Sequence, residues 1–128
     1  MIILLFSILS HAQISIGTTT SFVNSTIAGG IDVRYIGNHD NQQVHYIAAF
    51  NHGFTTLGIM GLHGHKFQFG LGASANIFEK VTVMSFDPVI AYNLKRFYIQ
   101  AGTRLRLQSY GEGKTKGNHF ITIGAKLW

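Results

Sequence analysis

The sequence predicts an all-β fold: an eight-stranded antiparallel up-and-down transmembrane β-barrel. Apolar and polar residues alternate over most of the chain, and turn-forming clusters interrupt this alternation at short intervals. Fifteen glycines, 12% aromatic residues and one proline among 128 residues are typical of a single β domain. With 12% charged residues and a mean hydropathy of +0.20, the chain is too apolar to be disordered.

The first segment, 1–12, is predicted to be a signal peptide, which leaves 13–128 as the β-barrel domain. Met1–Leu9 is an almost unbroken apolar run, far shorter than the roughly 20 residues of a membrane-spanning helix. It suits the apolar region of a secretory signal, and Ser10 and Ala12 are small residues of the kind found at a cleavage site. No basic residue precedes Arg34, so the start lies upstream or the signal is atypical; the alternative is a buried first strand.

Turn-like clusters rich in Gly, Asn, His and Lys divide the remaining chain into segments of about the length at which a tilted strand crosses a bilayer. Short connections between them favour a meander. Pro88 lies inside the sixth segment, where a closed barrel has no free edge, so a bulge or distortion is predicted at Asp87–Pro88. The predicted strands are 13–23, 26–36, 43–51, 54–62, 66–77, 81–92, 96–109 and 118–128.

The alternation gives each strand one apolar and one polar face. The third and fourth strands are less regular, because Ile47 and Met60 fall on the polar face. The apolar set of the other strands includes Ile14, Ile16 and Phe22, then Ile27, Ile31 and Val33, then Phe69, Leu71 and Ile77, then Ile99, Leu105 and Leu107, and finally Ile121, Ile123 and Leu127.

The polar face is expected to point into the barrel. It is rich in Gly, Ser, Thr and Gln, and most lysines fall in turns instead. Small polar residues suit the narrow lumen of an eight-stranded barrel, and apolar residues outside are the transmembrane pattern. Buried charges must then compensate one another. The residues expected to form this lumen ionic network are Asp32, Arg34, Asp87, Arg104, Arg106 and Lys126.

The pairing of the sixth and seventh strands can be counted from the turn between them. A tight turn sets Tyr92 opposite Phe97. Counting back then puts Ser85 opposite Arg104, with Asp87 on the diagonal and within reach of the arginine side chain. The register therefore predicts an ion pair between Asp87 and Arg104 inside the lumen.

Aromatic residues gather near the ends of the predicted strands, as interfacial girdles require. The general preference of aromatic residues for strands explains part of this distribution. The expected interfacial aromatics are Tyr35, Tyr46, Phe67, Tyr92 and Phe97 at one rim, and Phe22, Phe50, Phe54, Phe78, Tyr110 and Phe120 at the other.

In these patterns the chain resembles the small OmpA- and OmpX-like outer-membrane barrels of Gram-negative bacteria, over all of 13–128. The resemblance implies termini in the periplasm and insertion by the barrel-assembly machinery. Thr122 to Leu127 matches the polar-x-Gly-x-x-apolar part of the family's C-terminal pattern, although Trp128 comes one residue too early for its aromatic position. Another departure is that only the loop between Tyr110 and Asn118 is long.

Residues that would carry chemistry are sparse. The turn at His63 and His65 has no carboxylate, so a solvated turn is favoured over a metal site, and no metal or cofactor is expected. Pairing across the last loop brings Ser109 near His119, which is weak support for a lipid A-modifying enzyme. The absence of cysteine excludes thiolate chemistry and disulfides.

The net charge of +5 is spread between turns and lumen, which does not favour nucleic acid as a partner. Lys114 and Lys116 are candidate contacts for lipopolysaccharide phosphates, with a solvated loop as the alternative. We expect a non-enzymatic outer-membrane protein, a structural or surface-interaction component whose partners are lipid and lipopolysaccharide. The alternative is a soluble periplasmic barrel with the faces reversed, binding a small apolar ligand.

Overall fold

The computed structural model describes residues 13–23, 26–39, 41–111 and 118–127. Each strand pairs antiparallel with the next and β8 pairs with β1, which closes the barrel. The predicted up-and-down barrel of eight strands is therefore confirmed. The strands are β1 (Gln13–Val23), β2 (Thr26–His39), β3 (Gln42–Asn51), β4 (Phe54–Gly64), β5 (Phe67–Phe78), β6 (Val81–Leu94), β7 (Phe97–Gly111) and β8 (Asn118–Lys126).

The predicted strand ends agree closely with the observed ones. The largest difference is at the end of β2, predicted at 36 and observed at His39. The predicted signal peptide lies outside the described residues. None of the described residues forms a helix long and apolar enough to cross a membrane. Below, the terminal rim is the end of the barrel where β1 begins and β8 ends, and the distal rim is the other end.

The polar face of the alternation lies inside the barrel and the apolar face lies outside. In β7, for example, Gln100 and Arg104 are buried, whereas Ile99 and Leu105 are exposed. Most of the buried side chains are polar or charged, which is the reverse of a soluble core. The geometry thus supports the predicted direction of both faces.

An apolar cluster also occupies part of the lumen. Met60 and Leu62 from β4 contact Val89 and Phe120 across the barrel. Ile47 packs against this cluster, as its place on the polar side of β3 predicts. The irregular alternation of β3 and β4 therefore has a physical cause, since these strands supply apolar side chains to a mixed interior.

Two glycines of the β7–β8 ladder make room for large lumen side chains. Gly102 pairs with Phe120 and Gly124 pairs with Tyr98. A Cβ atom at either glycine would meet the ring of its partner. Each ring thus lies over a bare stretch of the neighbouring strand, which allows a narrow barrel to hold it.

The predicted register between β6 and β7 is wrong by two residues. Tyr92 pairs with Ile99, and Ser85 pairs with Arg106. The turn lies one residue further along the chain than expected, because Leu94 pairs directly with Phe97 and the connection is Lys95 and Arg96. Lys95, in this turn, adopts a positive φ of 51°, which permits the close connection.

The irregularity predicted at Asp87–Pro88 is observed nearby. The register shifts between Met84 and Ser85, where β7 carries the extra residue Leu107. The β6–β7 pairing passes from Phe86 to Val89 without pairs in between, as expected beside a residue that has no N–H. The bulge thus lies closer to the distal rim than the proline itself.

Candidate functional site in the barrel lumen

The lumen holds a polar cluster near the terminal rim, built on a buried ion pair. Arg34 Nε donates to Asp32 Oδ1 at 2.6 Å and Nη2 donates to Oδ2 at 3.2 Å. The two residues are two apart on β2 and therefore lie on the same face of the strand. Each is 2% exposed, which shows that this face points into the lumen. Arg34 Nη1 also donates to Gln100 Oε1, and the guanidinium lies 5.4 Å from the centre of the Tyr98 ring.

A chain of hydrogen bonds links this ion pair to the terminal rim. Arg34 Nη1 lies 3.2 Å from His45 Nδ1, and His45 Nε2 lies 3.1 Å from Gln43 Oε1. An arginine only donates, so a neutral His45 accepts at Nδ1 and carries its proton on Nε2. Gln43 Nε2 then donates to Asn38 Oδ1 at 2.6 Å. These residues, with Asp32, Gln100 and Tyr98, are called the terminal cluster below.

A second polar cluster lies towards the distal rim and is built on hydroxyl groups. Ser74 Oγ donates to Asp87 Oδ2 at 2.7 Å, and Ser85 Oγ donates to Asp87 Oδ1 at 2.8 Å. Asn76 Nδ2 donates to Ser85 Oγ at 3.2 Å, while its Oδ1 accepts from Thr56 at 2.8 Å. These five residues are called the distal cluster below.

Arg104 connects the distal cluster to the other side of the barrel. The pairs on either side in the ladder place it level with Asp87. Its Nη1 donates to Ser21 Oγ on β1 at 3.2 Å, and its guanidinium lies 4.4 Å from the centre of the Phe120 ring. The corrected register therefore brings Asp87 and Arg104 directly opposite rather than diagonal.

Four of the predicted network residues are buried in the lumen, namely Asp32, Arg34, Asp87 and Arg104. Arg106 is exposed and Lys126 is half-buried. β8 begins opposite Arg104, which leaves Arg106 beyond the described end of that strand. Lys126 is the last residue of β8 and lies at the terminal rim.

Three of the predicted interfacial aromatics point into the lumen instead. Phe54 and Phe120 are buried, and the half-buried Phe78 stacks on Phe54 with ring centroids 4.7 Å apart. Their positions have the same parity as the polar residues of their strands, which is why they face inward. Tyr35, Phe67, Tyr92, Phe97, Phe22 and Phe50 are exposed on the outer face, Tyr46 there is half-buried, and the side chain of Tyr110 lies outside the described residues.

The candidate catalytic pair is separated. Ser109 pairs with Val83 of β6, whereas His119 pairs with Thr103 and lies 2.9 Å from its hydroxyl through Nδ1. His63 lies on the outside against Phe69, and the described residues contain no group of three or more metal-ligating side chains. Lys114 and Lys116 lie outside the described residues.

No role in the lumen is predicted from the sequence for His45 or Tyr98, although His45 shares the parity of Ile47 in β3 and Tyr98 shares that of Gln100 in β7. Strict parity along each strand is the signal that finds them.

Comparison with protein-family models, curated proteins and solved structures finds no match to this chain.

Proposed function

We propose that this chain is an integral outer-membrane β-barrel with a structural or surface-interaction role and no enzymatic activity. Its lumen is filled by its own side chains, and its partners are membrane lipid and, during insertion, the barrel-assembly machinery. The finer assignment to the OmpA- and OmpX-like group is part of this proposal and rests on the pattern resemblance.

The observation that supports the proposal is an outer surface that is apolar around a polar interior. Ile27 is 66% exposed and Leu107 is 70% exposed, and exposed apolar side chains occur on every strand. A soluble monomer rarely exposes a contiguous apolar patch of more than a few hundred Å². Lipid is a solvent in which this surface is stable, and a closed barrel leaves no backbone edge unpaired in it.

The buried charges favour a filled lumen over an open pore. Asp32 and Arg34 neutralise each other, and Asp87 lies opposite Arg104. The rings of Phe120 and Tyr98 occupy the space above two lumen glycines. An eight-stranded barrel has room inside for side chains and little else. General diffusion of solutes through the lumen is therefore not part of the proposed role.

The first experiment is the gel mobility of the detergent-extracted protein, unboiled against boiled. The closed ladder should persist in cold detergent and open on boiling, which produces two mobilities. A protein that is soluble without detergent and shows one mobility would contradict the proposal. That result would favour the soluble ligand-binding barrel.

A pair of arginine substitutions tests the membrane more directly. Leu105→Arg, on the outer face near the middle of β7, should cost about 2–4 kcal/mol of folding free energy in lipid vesicles. Leu94→Arg, at the terminal rim, should cost about 0–1 kcal/mol because the charge reaches the interface there. Both leucines are exposed. Equally small losses of folding free energy for the two variants would indicate that water rather than lipid surrounds both positions.

A further inference from the structure

The terminal rim carries several cations on neighbouring turns and strand ends. Lys66, Lys95 and Arg96 are exposed in the turns that follow β4 and β6, and Lys126 is half-buried at the end of β8. These four residues are called the cationic arc. Among the described residues of this rim there is no carboxylate, and Asp40 lies outside them. At the distal rim, by contrast, Lys80 is preceded by Glu79.

Backbone hydrogen bonds hold the cationic arc together. Asn93 N donates to Lys66 O at 2.7 Å, which joins the β4–β5 turn to the end of β6. Asn93 Nδ2 donates to His65 O at 2.9 Å and reinforces the same junction. Lys126 N donates to Arg96 O at 2.7 Å, which joins the β6–β7 turn to β8. The four cations therefore lie on neighbouring strand ends whose spacing is fixed.

Large apolar side chains follow the cations directly. Phe67 is 60% exposed and Phe97 is 59% exposed, and each comes immediately after a basic residue. Tyr92 lies opposite Phe67 on β6 and is also exposed. Cations at a turn with aromatic rings just below them match the level of lipid headgroups in a bilayer.

An apolar groove of about 1110 Å³ crosses the outer face next to these aromatics. Phe69, Leu71, Ile90 and Ile121 line it, and all four point away from the lumen. Gly61 and Ala101 also line it, and their small size leaves the surface depressed there. Phe69 is only three residues from Lys66, so the groove begins close to the cationic arc.

From this combination we infer that the terminal rim binds an anionic phospholipid. The phosphate lies on the cationic arc and an acyl chain lies in the groove. Four cations without a described carboxylate select a negative headgroup, and the apolar groove selects a lipid over free phosphate. This inference rests on the proposed function, because it needs a barrel surrounded by lipid.

The experiment measures lipid binding to the detergent-folded barrel by native mass spectrometry. The probes are dioleoylphosphatidylglycerol, which is anionic, and dioleoylphosphatidylcholine, which has the same chains and no net charge. The parent protein should prefer the anionic lipid by about tenfold or more. The triple variant Lys66→Gln, Lys95→Gln, Arg96→Gln should lose most of this preference. Lys80→Gln, at the distal rim, should keep it.

Further measurements distinguish a phospholipid headgroup from free phosphate and from lipopolysaccharide as the bound ligand. Inorganic phosphate at equal concentration should not displace the anionic lipid, and displacement would overturn the role of the groove. Ala101→Phe should weaken binding of both lipids, because the ring fills the groove. Tighter binding of lipopolysaccharide than of the phospholipid would overturn the assigned ligand.

The two proposals fail in different ways. A barrel that shows the two gel mobilities but has equal affinity for both lipids would overturn the lipid site alone. A protein with one mobility in the first experiment would overturn the membrane barrel itself. Equal loss of preference in the triple variant and in Lys80→Gln would show a general charge effect, and would overturn the assignment to this rim.

Discussion

The terminal and distal clusters solve the same problem in different ways. Each holds a buried aspartate in a narrow lumen. Asp32 is compensated by a guanidinium two residues away on the same strand, whereas Asp87 accepts hydrogen bonds from two serine hydroxyls on two strands. The first arrangement concentrates compensation in one charged partner in direct contact. The second spreads it over two hydroxyls in contact and the guanidinium of Arg104, which lies opposite in the ladder.

This difference has an energetic consequence. A buried carboxylate that loses its charged partner keeps its full desolvation cost. A carboxylate surrounded by hydroxyls loses only part of its support when one group changes, because hydroxyls rotate and donate elsewhere. The terminal cluster should therefore be the more sensitive of the two to a single substitution.

Arg34→Met should have the largest effect, about 3–5 kcal/mol, because it leaves Asp32 buried without its ion-pair partner. The free energy of unfolding in urea, followed by gel mobility in lipid vesicles, measures it. The double variant Asp32→Asn, Arg34→Met removes both charges and should be more stable than the single variant. A single variant as stable as the parent would show that the ion pair is not needed.

Asp87→Asn should cost less, about 1–3 kcal/mol, since the amide still accepts one serine hydrogen bond and the hydroxyls can reorient. Asp32→Asn is the matched control in the terminal cluster and should cost more, because it takes from Arg34 a carboxylate in direct contact, whereas Arg104 keeps Ser21 and the Phe120 ring. The same urea titration compares them. Equal costs would remove the distinction between the two clusters.

Tyr98→Phe should have the smallest effect, about 0.5–1.5 kcal/mol. It removes the hydroxyl contact to Ser15, at 2.5 Å, and keeps the ring beside Arg34 and over Gly124. Tyr98→Ala should cost more because the ring itself is lost. If the two variants were equally destabilised, the hydroxyl rather than the ring would be the important part.

Much of the fold could be predicted from the sequence because strand alternation is a local property. The period of two shows in the residues of each strand, and turn clusters mark where it stops. The shared face of Asp32 and Arg34 can be predicted for the same reason, since two residues of equal parity on one strand necessarily share a face. The outward position of Leu105 and Ile123 follows in the same way.

Other features needed the closed barrel. The pairing of β6 with β7 depends on the tight turn at Lys95 and on the bulge near Met84, and a shift of two residues keeps every side chain on its face. The alternation of apolar and polar residues is the same in both registers, so it could not reveal the two-residue error in the predicted β6–β7 pairing. Phe120 is predicted at the distal rim by the aromatic pattern, whereas it lies inside, and only the ladder shows that Gly102 makes room for its ring.

The sequence by itself thus determined the number of strands, their order and, through parity, the face of most residues, with Phe54, Phe78 and Phe120 as the corrected exceptions. Tertiary structure alone decided which inward groups meet across the lumen, as Arg104 meets Ser21 and Arg34 meets Gln100. It also decided that Lys66, Lys95, Arg96 and Lys126 lie on neighbouring strand ends. The physical reason is that faces follow from backbone periodicity, whereas contacts between strands depend on register and closure, which distant segments set together.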